Sequence, residues 1–372
     1  MGPLVQSTAP SWLPRAELQR LIDALREAGH RVMGPVPRDG AIVWDEIQRM
    51  TELPEGWREQ QSAGAYRLEK AGHARLFDVV NGPSSLKAFV FAPREELLQI
   101  TRDGRSFQVE SRRPDPPKLA LLGVRACDLA ALRIQDRVFL HDRVPDAAYA
   151  IRRARLFLVA VHCTRSAQTC FCVSMGTGPE AKQGFDLALT EFDDGFLLRA
   201  DSAAGRQLLE ALQPAAAPPA RVDEERAALS ACAAHMTRSL DTSDLPEMLY
   251  RNLEHSHWEE VAKRCLSCGN CTQVCPTCFC HAERDEPFLD GSGSIRVREW
   301  DSCFNRDHAQ VHGLNFRPRI AHRYRQWLVH KLAGWIDQFG TSGCVGCGRC
   351  IAWCPTGIDL TEEVEALRDP RV

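Results

Sequence analysis

Several absences narrow this chain before any motif is read. No apolar stretch approaches the length needed to cross a bilayer. The formal net charge is −3, so neither sign is in excess and nothing draws the chain in bulk to nucleic acid or to a membrane surface. No Gly-x-Gly-x-x-Gly follows a strand-like run, which leaves no dinucleotide site for NAD(P) or FAD. There is no Walker loop, no Ser/His/Asp set, no further pair of Cys-x2-Cys motifs suited to nickel–iron, and no sirohaem signature. Met1 to Arg15 carries no basic region followed by an apolar core, so a cytoplasmic chain is expected. In that compartment its sixteen cysteines are expected to bind metal rather than pair as disulfides. None of them precedes Cys127.

What is there lies near the C-terminus. Cys265, Cys268, Cys271 and Cys275 are followed by Pro276, and Cys344, Cys347, Cys350 and Cys354 by Pro355. Both runs read C-x2-C-x2-C-x3-C-P, the bacterial ferredoxin pattern for 4Fe–4S clusters. Three thiolates on one tight loop grip three corners of a cube, while the fourth points away to the other cluster. The pattern therefore assigns Cys265, Cys268, Cys271 and Cys354 to one cluster, and Cys344, Cys347, Cys350 and Cys275 to the second. Zinc knuckles also use C-x2-C, but they separate two close pairs by a longer loop. Here three cysteines crowd into seven residues.

Eleven cysteines fall between Cys265 and Cys354, and this shift marks a domain boundary. The Pro/Ala stretch from Pro214 to Ala220 reads as its hinge, dividing an α/β domain over 1–213 from a cluster domain over 221–372. In the first, Leu18, Leu21, Ile22 and Leu25 repeat at helical spacing up to Gly29. Ala88 to Phe91, Leu119 to Val124 and Leu156 to Val161 read as strands, with a helix from Asp128 to about Val138 between the last two, a βαβ unit. The second domain reads as mostly helical: about Asp223 to Ser239, a helix from near Pro246 capped by Ser243 or Asp244, and Arg319 to Phe339. In the last, Ile320, Tyr324, Trp327, Leu328, Trp335, Ile336 and Phe339 form an apolar face. Its Arg323, Arg325 and Lys331 are expected to offset the charge of anionic clusters, not to bind nucleic acid. The 68 residues between Cys275 and Cys344 favour a helical two-cluster domain over a small free-standing ferredoxin.

A second constellation lies in the α/β part. Cys127 and Cys163 follow two strands whose carboxyl ends face one crevice in a parallel sheet, and Cys170 and Cys172 occupy a glycine-bearing loop, Thr169 to Pro179. Four sulfurs converging there suffice for a third 4Fe–4S cluster, and a helix N-terminus at Cys127 is expected to favour its thiolate. Some of these could instead be ordinary buried cysteines, the reading given to Cys232 among its alanines. Cys278, Cys280 and Cys303 crowd the first run as a further ligand, a reactive thiol pair or packing.

Three segments then carry a family resemblance: Gly123-Val-Arg-Ala-Cys-Asp-Leu129, Thr169-Cys-Phe-Cys-Val-Ser-Met-Gly-Thr-Gly-Pro179, and the stretch Cys265 to Cys280, extended by Trp300-Asp-Ser-Cys303 and Asn315-Phe-Arg-Pro318. From about residue 15 to 365 the chain resembles the β subunit of cytoplasmic nickel–iron hydrogenases of the sulfhydrogenase type. It is equally similar to the A subunit of anaerobic sulfite reductase. It departs at Ala126, where the family has proline, and at Arg165-Ser-Ala-Gln, where a glycine-rich turn is commoner. The resemblance implies a hetero-oligomer in which this chain relays electrons between a catalytic subunit, either nickel–iron hydrogenase or sulfite reductase, and a flavin-containing NAD(P)H-oxidising subunit. The competing readings are a polysulfide reductase built on the extra thiols and a cluster-based redox sensor.

Overall fold

A computed structural model describes residues 9–369. Residues 1–8 and 370–372, at the outer ends of the two expected domains and of the Met1 to Arg15 segment, lie outside the described residues.

The central strands form because their residues are apolar without interruption, as strands covered on both faces must be. In Leu119–Val124, Ala120 and Leu122 join one core while Leu121 and Val124 join the opposite one. In Leu156–Val161, Val159 and Val161 face the first core, and Leu158 and Ala160 the second. These two strands pair in parallel. They sit inside an eight-stranded mixed sheet ordered Ala215–Ala216, Ser11–Pro14, Gly195–Ala200, Leu187–Glu191, Leu156–Val161, Leu119–Val124, Arg31–Arg38, Ala41–Glu46. Helices Leu18–Glu27 and Ala203–Leu212 cover one face. Helices Ala126–Phe139 and Ala147–Arg153 cover the other. Gly29, at φ +86°, follows the first of these helices as a left-handed stop that only glycine adopts cheaply.

The expected strand Ala88 to Phe91 is instead one helical turn, Lys87–Val90. A short apolar run satisfies either period, and here burial of Val90 and Phe91 is achieved without pairing. Around the Pro/Ala stretch, Ala215–Ala216 pairs with Ser11–Pro14 and a helix, Pro219–Ala234, starts on its proline. The segment after Asp244 forms two helices, Leu245–Arg251 and His257–Arg264, and no side chain caps the first.

The 68 residues between the cluster runs hold a β-hairpin as well as a helix. Strands His281–Pro287 and Gly293–Trp300 pair with each other, and the second pairs with Arg94–Asp103 from the first half of the chain. The two halves thus share a four-stranded sheet. The long helix is interrupted: Ile320–Val329 continues through a π-helical turn, His330–Gly334, into Trp335–Phe339. That wide turn shifts the helical phase by an extra residue. Leu332 and Ala333 are therefore buried, and Ile336, expected on the apolar face, is 37% exposed.

Candidate metal centres

The two cysteine runs fold alike because their sequences place turn-forming residues at equal offsets. Two residues after the first cysteine stands a left-handed residue, Ser267 (φ 54°) in one run and Gly346 (φ 62°) in the other. Its N–H points back to that cysteine's sulfur, 3.4 Å from Cys265 Sγ and 3.4 Å from Cys344 Sγ. Gly269 and Gly348, again left-handed, then open the short helices Asn270–Gln273 and Arg349–Ala352. Amide N–H groups aimed at sulfur favour the thiolate, which is the form iron binds.

Cys265, Cys268 and Cys271 line one cavity together with Cys354, which belongs to the other run. Ile358 N–H reaches Cys354 Sγ at 3.3 Å. Cys275 stands within electrostatic reach of Cys344, Cys347 and Cys350 of the other run and of Cys271 of its own. Cys350 also lines the first cavity, so the two groups are adjacent. Burial pushes Cys265, Cys271, Cys347 and Cys350 up, and Cys344 up to about 12. Cys275 differs. A hydrogen bond from Cys278, helped by Lys331 and Thr277, holds it low against burial.

Lys331 is the charge that the sequence placed near the clusters, and the π turn is what aims it. Its Nζ lies 3.2 Å from Cys275 Sγ, 3.1 Å from Thr277 Oγ1 and 3.0 Å from Gly343 O. Burial opposes its ammonium, but Cys275, Cys278, Cys344 and Cys350 outweigh burial and keep it charged. Arg323 stands by the first run, its Nε 3.2 Å from Ser267 Oγ. Arg325 instead pairs with Glu254 away from the cysteines. Lys331→Met should lower the reduction potential at the Cys275 group, because a reduced cluster carries one more negative charge. A unit charge at this range is worth on the order of 100 mV, readable in an EPR-monitored redox titration.

The third constellation is brought together by the sheet. Cys127 is the second residue of Ala126–Phe139 and packs with Cys172 and Cys347. Arg125 spans the crevice beside it, donating to Phe77 O at 2.7 Å and standing 3.8 Å from Cys163 Sγ. Cys172 lies within electrostatic reach of Cys170 and Cys163, and is pushed up by burial. Burial likewise pushes Cys170 up to about 12. The helix end does not lower Cys127 as expected: burial, then Asp128 and Cys347, raise it well above the ordinary thiol range.

One cysteine that reads as core from the sequence also stands near this group. Cys232, on Pro219–Ala234, is buried beside Cys163 and Cys172. Five cysteines thus lie in this part of the molecule, one more than a single 4Fe–4S cluster takes. A lone cysteine among alanines gives no spacing from which this could be read. Asn81 Nδ2 stands 3.7 Å from Cys127 Sγ and 2.9 Å from Cys347 O, which gives Cys127 a partner of its own. Comparing Cys232→Ser with Cys127→Ser by iron content should separate the ligand from the bystander: one variant loses about four irons, the other none.

The loop Thr169 to Cys172 lies directly on the second run. Phe171 N–H donates to Gly346 O at 2.9 Å. A Cβ on Gly346 would come within 2.6 Å of the Phe171 carbonyl, and one on Gly348 within 2.3 Å of Thr169 O. Glycine is required at both because two backbones touch there. The three cysteine groups therefore follow one another, from the sheet crevice through Cys347 and Cys350 to the first run, where Cys268 is exposed and Leu266 is 63% exposed.

Among the described residues no three cysteine, histidine or carboxylate side chains converge tightly enough for one metal ion. Cubane corners stand further apart. All-sulfur donors, N–H groups aimed at sulfur and a buried ammonium fit 4Fe–4S clusters.

Residues 264–358 match the family model for a 4Fe–4S dicluster domain. Across 353 residues, 93% of this chain and 94% of the other, the sequence is 31% identical to sulfhydrogenase 2 subunit beta of Pyrococcus furiosus. No solved structure matches.

Proposed function

Because the chain belongs to the family of sulfhydrogenase β subunits, we propose that its three cysteine groups form a single electron path through a hydrogenase-type complex. The chain is an iron–sulfur electron-transfer subunit of such a complex. The ligands we assign are Cys265, Cys268, Cys271 and Cys354 to one cluster, and Cys344, Cys347, Cys350 and Cys275 to the next. A third is held by four of Cys127, Cys163, Cys170, Cys172 and Cys232. Bound there, the clusters would supply one-electron transfer. The chain's own residues then set the path: Gly346 and Gly348 let neighbouring loops touch, Lys331 favours reduction at the middle group, and exposed Cys268 and Leu266 offer an exit.

The observation that carries this reading is the succession of cysteine groups from the sheet crevice to the surface. The partners we infer are nickel–iron hydrogenase subunits and a flavin-containing NAD(P)H-oxidising subunit, in a cytoplasmic hetero-oligomer. Among the described residues no helix is long and apolar enough to cross a membrane. The domain over 221–372 would carry two clusters, and the α/β domain over 1–213 the third, with Cys232 the one candidate ligand from outside it.

Anaerobic purification with iron and sulfide counting tests the proposal. About twelve irons per chain are expected, falling to about eight in the Cys170→Ser, Cys172→Ser double variant. A wild-type count of eight, unchanged in that variant, would remove the third cluster.

A further inference from the structure

The hairpin His281–Pro287/Gly293–Trp300 does more than extend a sheet. It pairs His281 with Trp300, and beyond that last pair Asp301 N–H still donates to Cys280 O at 2.9 Å. The residues just outside its open end, Cys280 on one side and Asp301 to Cys303 on the other, are thereby fixed face to face. Cys303 hydrogen-bonds Cys280, and so does His308. His308 Nδ1 in turn lies 2.6 Å from Asp301 Oδ2. This is a thiol, an imidazole and an orienting carboxylate in sequence, the arrangement that activates a cysteine nucleophile, with a second thiol beside it.

Cys280, Cys303 and His308 open on a cavity of about 340 Å³ lined also by Cys278, by Lys331 and by the rings of Phe279, His281, Trp327, His330 and Trp335. Cys280 and Cys303 are both half-buried, neither sealed off nor disulfide-bonded. The cluster ligands proposed above do not include them.

We propose that Cys280 and Cys303 are a redox-active dithiol, oriented by His308 and Asp301, that reduces the sulfur–sulfur bond of a small organic disulfide held in this aromatic-lined cavity. A bare chain of a few sulfur atoms would leave most of that volume empty and make little use of five ring side chains. The electrostatics agree with the geometry. Hydrogen bonds from Cys303 and His308 hold Cys280 well below the ordinary thiol range against burial, and the same contact raises Cys303. Cys280, with Asp301 behind it, raises His308 to about 9 against burial, so the imidazolium is available as an acid.

The chemistry balances. Cys280 thiolate attacks one sulfur of the disulfide; the S–S bond breaks, and the departing thiolate takes a proton from His308. Neutral His308 accepts the proton of Cys303 as its sulfur attacks Cys280, and the Cys280–Cys303 bond forms. The second substrate thiolate leaves with that proton. Two electrons and two protons then restore Cys280 thiolate, Cys303 thiol and charged His308. The electrons come from the chain's own electron-transfer role, so turnover, though not thiol exchange, rests on the function proposed above.

The test uses the anaerobically purified full chain with hydroxyethyl disulfide as probe and inorganic tetrasulfide as the second arm. Peptide mapping under non-reducing conditions should find a Cys280–Cys303 bond and two thiols released per chain. The Cys303→Ala variant should stop at a mixed disulfide on Cys280 with one thiol released. Iodoacetamide should label wild-type Cys280 about ten-fold faster than an ordinary thiol at neutral pH, and Asp301→Asn should reduce that advantage. If Cys280→Ala or Cys303→Ala lowered iron and sulfide by one cluster, both would be ligands and the proposal would fall. It would fall equally if no Cys280–Cys303 bond formed, or if tetrasulfide alone reacted. Loss of turnover in a Cys347→Ser chain that still performs the single exchange would instead locate the fault, or the dependence, in the electron path.

Discussion

Cys275→Ser should remove about four irons per chain, and they should be those of the second run. The sign of the effect is in the pairing. Combined with Cys347→Ser, the loss should stay at about four irons, because both changes strike one cluster. Combined with Cys268→Ser, it should reach about eight. Cys354→Ser should behave in mirror image, additive with Cys347→Ser and not with Cys268→Ser. The expectation follows from position: Cys354 lines the cavity of the first run, and Cys275 stands among the sulfurs of the second with Lys331 at 3.2 Å. A non-additive Cys275/Cys268 pair would show that each run holds its own fourth ligand.

Arg349→Met should cost roughly 3–5 kcal/mol of folding stability, read from a denaturant midpoint with cluster content held constant. Arg349 lies between Cys347 and Cys350 of the second run, and its side chain crosses to the α/β part. There Nη1 meets Asp128 Oδ1 at 2.9 Å and Nη2 meets Oδ2 at 3.1 Å, while Nε donates to Gly82 O at 3.1 Å. Both partners are only 2% exposed at the side chain. Burial works against the guanidinium, but Asp128 together with the Cys347 and Cys127 sulfurs outweighs it, and Arg349 is raised above its ordinary value. Removing one partner leaves the other charge buried and unpaired, the costly case. Removing both, as Arg349→Met with Asp128→Leu, should recover most of the loss, since a buried pair contributes little net stability over apolar replacements. If the double variant were as unstable as the single, the pair would matter through packing and not through charge.

The sequence made the parts with strong local periodicity readable. Leu119–Val124 and Leu156–Val161 are uninterrupted apolar runs because both sides are buried, and the βαβ reading between them holds. The cluster runs were legible because ligand spacing on one loop is a local property. What could not be read depends on contacts between distant segments. His281–Pro287 is polar and largely exposed, and only its pairing with Gly293–Trp300, itself laid against Arg94–Asp103, makes it a strand. Ile336 fits the apolar face of an ideal helix, but one π turn rotates it into solvent. Lys331 was expected to neutralise clusters in a general way; the same turn buries it on one sulfur. Cys232 offers no pattern at all, since its neighbours in space come from the loop after another strand. The Cys280, His308 and Asp301 arrangement is spread over 29 positions of sequence and is assembled by hairpin closure.

If the proposed partnership holds, this chain exchanges electrons with a flavin-containing NAD(P)H-oxidising subunit. Freeze-quenched EPR after mixing with NADH or NADPH tests it most directly, run on the gently purified complex and on the isolated chain side by side. The account predicts reduced cluster signals in the complex, appearing no slower than its turnover, and none in the isolated chain until a chemical reductant is added. Reduction of the isolated, flavin-free chain by a nicotinamide nucleotide alone would contradict it.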